Sequence, residues 1–175
     1  MNARGSAIIS RLLAAATLLA GAGCGYRLTG ADSLPPEIRT IAVRPFENQT
    51  SRPEIEQRVT EAIADELSKR GRYRVVTSTE GAQALLEGTV TAYRAEPVQF
   101  TEEGRATRVQ ASVTLRATLT ALADDSVIWN QSGLVFREQY EVPEGGDFID
   151  QETLALDEIA RGAAGALVTS IFEGW

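Results

Sequence analysis

The chain has 175 residues, 17 Lys plus Arg against 24 Asp plus Glu, no His and a single Cys. A formal charge of −7 argues against nucleic acid as the main partner, because that affinity rests on dense positive charge that neutralises phosphates. Without imidazole and with one thiol, Ser-His-Asp and Cys-His catalysis and zinc sites built on imidazole or several thiolates are ruled out. With 43% hydrophobic and 23% charged residues the composition is globular, and the length suits one domain.

Residues 1–11 carry Arg4 and Arg11 and no acid, and Leu12 to Ala20 is an apolar run. That run is shorter than the roughly 20 residues a helix needs to cross a bilayer. Small residues Gly21-Ala22-Gly23 follow, then Cys24, the order of a bacterial secretory signal ending at a lipidation site. Gly21 stands where a large apolar residue is usual three places before the cysteine. The competing reading is a plain secreted protein with a leftover thiol, a liability in an oxidising compartment. Cleavage before Cys24 removes 23 residues with two arginines, leaving 152 residues and a charge of −9 in place of −7. An acylated Cys24 with more than one chain anchors stably. Gly25, rather than Asp, at the next position favours transport onward to the outer membrane. Residues 24–36, rich in Gly and Pro, read as a tether and residues 37–175 as the folded domain.

In that domain Ile38 to Phe46 alternates as a strand stopped at Pro45, and Glu47 to Arg52 reads as a polar loop. Ser51 and Glu54 have capping-box spacing, with Pro53 suited to a first turn. Ile55, Val59, Ala62, Ile63 and Leu67 then fall on one helical face, and Gly71 is the expected stop. Tyr73 to Val76 is a second short strand. Leu85 to Phe100, Arg105 to Leu122 and Val127 to Val142 are long strands, joined by turns at Thr101–Gly104 and Ala123–Ser126, with Pro97 the expected break between core and protruding tip. In the second, Val109, Ala111, Val113, Leu115, Ala117 and Leu119 alternate with Gln, Ser, Thr and Arg, so one sheet face is covered and the other wet or partner-bound. From Asp147 onward Leu154, Leu156, Ile159, Ala160, Ala163, Ala164, Leu167, Val168 and Ile171 form a helical stripe. The expected fold is α+β, a two-layer sandwich with two helices on one face of a mainly antiparallel four- to five-stranded sheet.

Asn48-Gln49-Thr50 and Asn130-Gln131-Ser132 fit a glycosylation sequon but read as loop polarity, and Glu102-Glu103 and Asp124-Asp125 read as turns rather than acid/base pairs or cation ligands. No constellation supplies a catalytic, metal or cofactor site. Sixteen of the 17 basic residues are Arg, and Arg94, Arg105 and Arg108 lie near the tip of the first long hairpin. Guanidinium suits bidentate phosphate or carboxylate binding, and on a strand it also keeps a sheet edge soluble. Phe100, Trp129, Phe136 and Tyr140 read as core or interface anchors.

In order, Cys24-Gly25-Tyr26-Arg27-Leu28 with Gly30, Leu34-Pro35, Ile38 to Thr50, the Glu54 to Leu67 helix, Gly88 to Tyr93, the Arg105 to Leu122 strand, Val127-Ile128-Trp129 and Tyr140 resemble the LptE family of lipopolysaccharide-assembly lipoproteins. The resemblance implies a non-enzymatic protein of the outer membrane, anchored at Cys24, that plugs the LptD β-barrel, helps it assemble and assists delivery of lipopolysaccharide to the cell surface. It implies lipopolysaccharide and the barrel as partners; the candidate phosphate contacts, Arg94, Arg105 and Arg108, come from their place on the hairpin and not from the family. The strand-then-helix start is shared by other periplasmic lipoproteins, so a cell-wall synthase activator or a CsgG-like secretion subunit is the alternative.

Overall fold

β-Branched and alternating residues between Ala84 and Glu141 make three long strands, and everything else packs on or beside them. The computed structural model describes residues 34–142 and 148–173. The elements are β1 (Thr40–Val43), β2 (Glu47–Asn48), α1 (Ile55–Lys69), β3 (Arg74–Val76), β4 (Ala84–Phe100), β5 (Ala106–Ala121), β6 (Val127–Glu141) and α2 (Phe148–Glu173). They form one six-stranded sheet in the order β3-β1-β4-β5-β6, with β2 also alongside β4, and two helices.

The expected class holds, but the sheet is mixed rather than mainly antiparallel and has six strands instead of four or five. β1 runs parallel to both β3 and β4, and β2 runs parallel to β4, while β4–β5 and β5–β6 are antiparallel. The cause is topological: α1 is a crossover that returns the chain to the start of the sheet, so β3 takes the direction of β1. β1 and β3 are only 4 and 3 residues long, so the short 77–83 segment suffices to lead back to the start of β4. Gln83 seals that return, its side-chain oxygen accepting from the backbone N–H groups of Arg39 (3.2 Å) and Thr40 (2.7 Å).

The alternation read in β5 is the axis of the core: Val109 to Leu119 at odd positions are 0 to 7% exposed. Its neighbours keep step only by switching parity. In β4, Leu86 faces Leu119 and Val90 faces Leu115, but after a bulge at Thr91 it is Tyr93 that faces Val113. In β6, Trp129 faces Leu119, and after an irregularity around Ser132 and Gly133 it is Leu134 and Phe136 that face Leu115 and Val113. A one-residue slip turns every later side chain to the other face, so these two bulges hold a continuous apolar face over long, twisting strands.

On that face lie both helices. α1 presents Ile55, Val59, Ile63 and Leu67, all fully buried, the i, i+4 stripe expected. α2 buries Leu156, Ile159, Ala160, Ala163, Ala164, Leu167, Val168 and Ile171 as read, and Ala155 and Phe172 besides, while Leu154 of the expected stripe is 59% exposed. Arg58 ties the two helices together sideways, pairing with Asp157 of α2 and, at 3.7 Å, with Glu54. Arg70 donates to the Thr169 hydroxyl at 3.2 Å and stands 5.2 Å over the Phe172 ring, which stacks on Tyr73 at 5.4 Å. Of the aromatics, Trp129 is 8% exposed and Phe136 and Tyr140 pack against the core, whereas Phe100 is 57% exposed.

The start of α1 differs from expectation. The helix begins at Ile55, and Glu54 is its N-cap at φ 64° with no side-chain cap bond, so the Ser51/Glu54 capping box does not form. Asn48 organises the turn instead. Its amide donates to the Arg52 carbonyl (2.8 Å) and the Glu56 carboxylate (2.7 Å), and its oxygen accepts from the Thr50 N–H and hydroxyl, both at 2.8 Å. That saturation accounts for the Asn48-Gln49-Thr50 spacing, while parallel backbone pairing with Thr89 and Val90 of β4 makes Glu47–Asn48 a strand rather than a loop. The expected helix stop is met, with Gly71 in the left-handed region at φ 68°.

One close approach is decisive. At Gly88 an added Cβ would lie 2.5 Å from the Arg116 carbonyl oxygen and 2.5 Å from the buried ring of Phe46. Gly88→Ala is therefore expected to cost about 1–3 kcal/mol through overpacking, whereas Gly133→Ala, whose Cβ meets nothing within 4 Å, should stay within about 0.5 kcal/mol of the parent. Denaturant unfolding followed by circular dichroism measures both, and equal stability of the two variants would refute the contact.

Candidate functional site

Beyond Val90, β4 loses β1 and β2 as neighbours and is paired only with β5. From Arg94 to Phe100 seven consecutive β4 residues are exposed, so β4, β5 and β6 continue as a three-stranded arm. Pro97 does not break the strand, although the register shifts beside it. At the tip Val98 and Phe100 are 47% and 57% exposed, and the turn closes as expected through Gly104 at φ 81°, with the Thr101 N–H donating to the Arg105 carbonyl at 2.8 Å.

The face of the arm turned away from the helices carries the polar half of the β5 alternation. Register places the predicted arginines along it unevenly. Arg94 is opposite Ser112, and across Ser112 on the other side is Arg137 of β6. Two interstrand spacings put the Arg94 and Arg137 backbones about 10 Å apart, so both guanidinium groups can converge on one phosphate. Arg108 lies four residues along β5 from Ser112, about 13 Å nearer the tip, and is engaged with Glu141 at 3.0 Å. Arg105 is in the turn itself, its N–H donating to the Thr101 hydroxyl at 3.3 Å. The three predicted residues thus share one arm without forming one cluster.

Arg137 and Arg116 were missed by sequence reasoning. Arg116 stands four residues from Ser112 in the other direction, exposed beside a cleft of about 270 Å³ that Arg44, Glu87 and Thr118 also line, with Arg44 and Glu87 ion-paired at 2.5 Å. For Arg116 the signal was available in the β5 alternation. For Arg137 it was not, because the irregularity at Ser132–Gly133 shifts the face on which β6 residues emerge. Acidic groups interrupt the row: Glu96 opposite Gln110 and Glu87 opposite Thr118. Cys24 lies outside the described residues.

Both turn acids read from the sequence serve the chain itself. Asp124 accepts from the Ser126 N–H at 3.1 Å, and bonds from Ser126 hold its carboxyl below the ordinary aspartate range. At the tip, the Thr101 hydroxyl and the backbone of Glu103 hold the Glu103 carboxyl below its ordinary value.

The architecture is a two-layer α+β sandwich. Rare lipoprotein B from Shewanella oneidensis matches with a TM-score of 0.50 at 9% identity, over 76% of this chain and 93% of that one. Lipoprotein B from Nitrosomonas europaea matches at 0.49 and 11% identity over 80% and 89%. A subunit of a single-substitution variant of the PelC dodecamer from Paraburkholderia phytofirmans matches at 0.48 and 14% over 81% and 94%. No curated protein matches the chain by sequence. The family model described as LptE, Lipopolysaccharide-assembly, matches residues 38–171, and the chain belongs to that family.

Because the depressed Glu103 carboxyl contributes stability only while ionised, the tip turn keeps that contribution above the ordinary glutamate pKa and loses it as pH falls through the lower, folded value. Thr101→Val, which deletes the hydroxyl, should return the Glu103 titration toward the ordinary range in a carboxyl-resolved NMR titration. An unmoved midpoint would show that Thr101 is not the cause.

Proposed function

We propose that this member of the LptE family is an outer-membrane lipoprotein, anchored through Cys24, that occupies the lumen of the LptD β-barrel, supports its assembly and assists the passage of lipopolysaccharide to the cell surface. The observation that carries the reading is the polar arm with Arg94 and Arg137 flanking Ser112 on its helix-free face. Phosphate esters on a glycolipid are anionic and planar-forked guanidinium recognises them with paired hydrogen bonds, which a net-acidic body achieves only through a local row of arginines. Arg105 and Arg108 extend the row toward the tip. The barrel lumen suits the rest of the arm: it has one face of Thr, Ser, Gln and Arg that a polar interior can hydrate or hydrogen-bond. The family match over residues 38–171 does not favour the cell-wall synthase activator or the CsgG-like subunit.

A C-terminally tagged full-length protein, captured from outer membranes in mild detergent, is expected to bring down a stoichiometric large β-barrel that is lost or misassembled when this protein is depleted. Capture of a cell-wall synthase, or self-association into a ring, would reject the reading. For the arginine row, Arg94→Glu with Arg137→Glu should weaken lipopolysaccharide binding about tenfold or more, as expected for loss of hydrogen bonds to a charged group. Lys69→Glu on α1, away from the arm, should not. Equal binding by all three proteins would remove the arginines from the role.

A further inference from the structure

A second arginine concentration lies at the opposite end of the sheet. Arg39, Arg72 and Arg74 are all exposed, and Arg39 and Arg74 are adjacent across the β1–β3 pair, where the Arg74 N–H donates to the Arg39 carbonyl at 2.8 Å. Arg39 and Arg72 line one cleft of about 470 Å³ with Leu34, Pro35 and Pro36. Among the described residues no carboxylate ion-pairs with Arg39, Arg72 or Arg74; the one polar contact of the Arg39 side chain is a 3.3 Å bond from Nε to the Pro36 carbonyl. Glu37 is the nearest acid in sequence, and it lines a different cleft together with Asp124 and Val127.

This cluster is also where the described chain begins. Leu34 is 2% exposed, and its N–H donates to the hydroxyl of Tyr73, the residue between Arg72 and Arg74, at 3.2 Å. Leu34 lies ten positions after Cys24, and ten extended residues span at most about 35 Å. A body of net negative charge is repelled by an anionic leaflet everywhere except at such a patch.

We propose that, before the protein enters the barrel, the Arg39, Arg72 and Arg74 end of the domain seats on the phosphate surface of the bilayer, with the proline-lined cleft facing the headgroups and the arm directed away. The proposal rests on acylation of Cys24. It gives the tether a second function: the acyl chains hold the protein at the membrane, and the arginines set which end faces it. Since β4 starts beside β1 at this end and runs 17 residues to Phe100, the tip is held about 50 Å away along the strand. Each arginine near an anionic surface contributes about fivefold in binding, so three contribute about a hundredfold.

The test uses the full-length acylated protein, purified from outer membranes and reconstituted into vesicles of phosphatidylethanolamine with one-quarter phosphatidylglycerol. An environment-sensitive fluorophore is placed on Pro36→Cys or, at the arm tip, on Val98→Cys, and quenched by headgroup spin-labelled lipid. Quenching at position 36 is expected to exceed that at position 98 several-fold. It should fall to the position-98 level in Arg39→Glu/Arg72→Glu/Arg74→Glu, and on replacing phosphatidylglycerol with phosphatidylcholine, while the protein still floats with the vesicles. Raising salt to about 1 M, where the screening length is about 3 Å, gives the same readout on the unaltered arginines should the triple variant fail to fold. Quenching at position 36 that ignores charge reversal, lipid charge and salt would overturn the docking and leave the anchor standing. Failure of the unaltered protein to float would overturn the Cys24 anchor itself, and the docking with it.

Discussion

From Ala84 to Val90, β4 is hydrogen-bonded on both sides, to β1 and β2 on one and β5 on the other; from Ala92 to Phe100 it has β5 alone. A strand flanked on both sides and covered by helices belongs to a core, and a strand with one free edge belongs to a surface. The same 17-residue segment is therefore both. The change happens at Thr91, where the bulge also reverses which face each side chain takes. Below it Leu86 and Val90 are sealed under α1 and α2; above it Arg94 emerges on the helix-free face. Pro97, Glu96 and the register shifts near the tip keep the free edge from recruiting another strand.

The close packing below the bulge depends on absent side chains. Gly88 lets the Phe46 ring approach the β4–β5 ladder closely, and at Gly162 an added Cβ would fall 2.2 Å from the Phe136 ring. The α2 stripe of Ala160, Ala163 and Ala164 serves the same end, bringing the helix close enough that modest apolar surfaces exclude water. Intrinsic helix stability lost to glycine is offset by the burial it permits.

Charge distribution matters more here than net charge. A chain of −7 bears two separate arginine groupings, one on the arm and one where the chain joins the domain, with acidic groups on the helices, loops and turns and also on the long strands, at Glu87, Glu96, Glu138 and Glu141. Fields from such patches act over about a Debye length, roughly 8 Å at physiological salt, so each patch behaves as locally basic on an acidic body. Composition alone speaks against anionic ligands; position reverses that locally.

The alternation of Val109 to Leu119, the stripes of the two helices, the turns at Gly104 and Asp124 and the stop at Gly71 were all legible in the sequence, because each is set by near neighbours: period, capping and φ preference. The 2-residue strand β2, the parallel pairings and the uncapped start of α1 were not, since two residues carry no period and the direction of a short strand follows from where the crossover helix lands. The side-chain network of Asn48 looked like loop polarity until Glu56 and Arg52 were brought to it. Arg94, Arg105 and Arg108 could be assigned to one hairpin from sequence, but their separation, the Glu141 partner of Arg108 and the pairing of Arg94 with Arg137 across Ser112 depend on register between distant strands. The sequence by itself determined which residues are apolar at what period, hence the layers and the two faces; tertiary structure alone decided which strands are neighbours and where the two bulges reverse their faces, because both are set by packing between segments far apart in the chain.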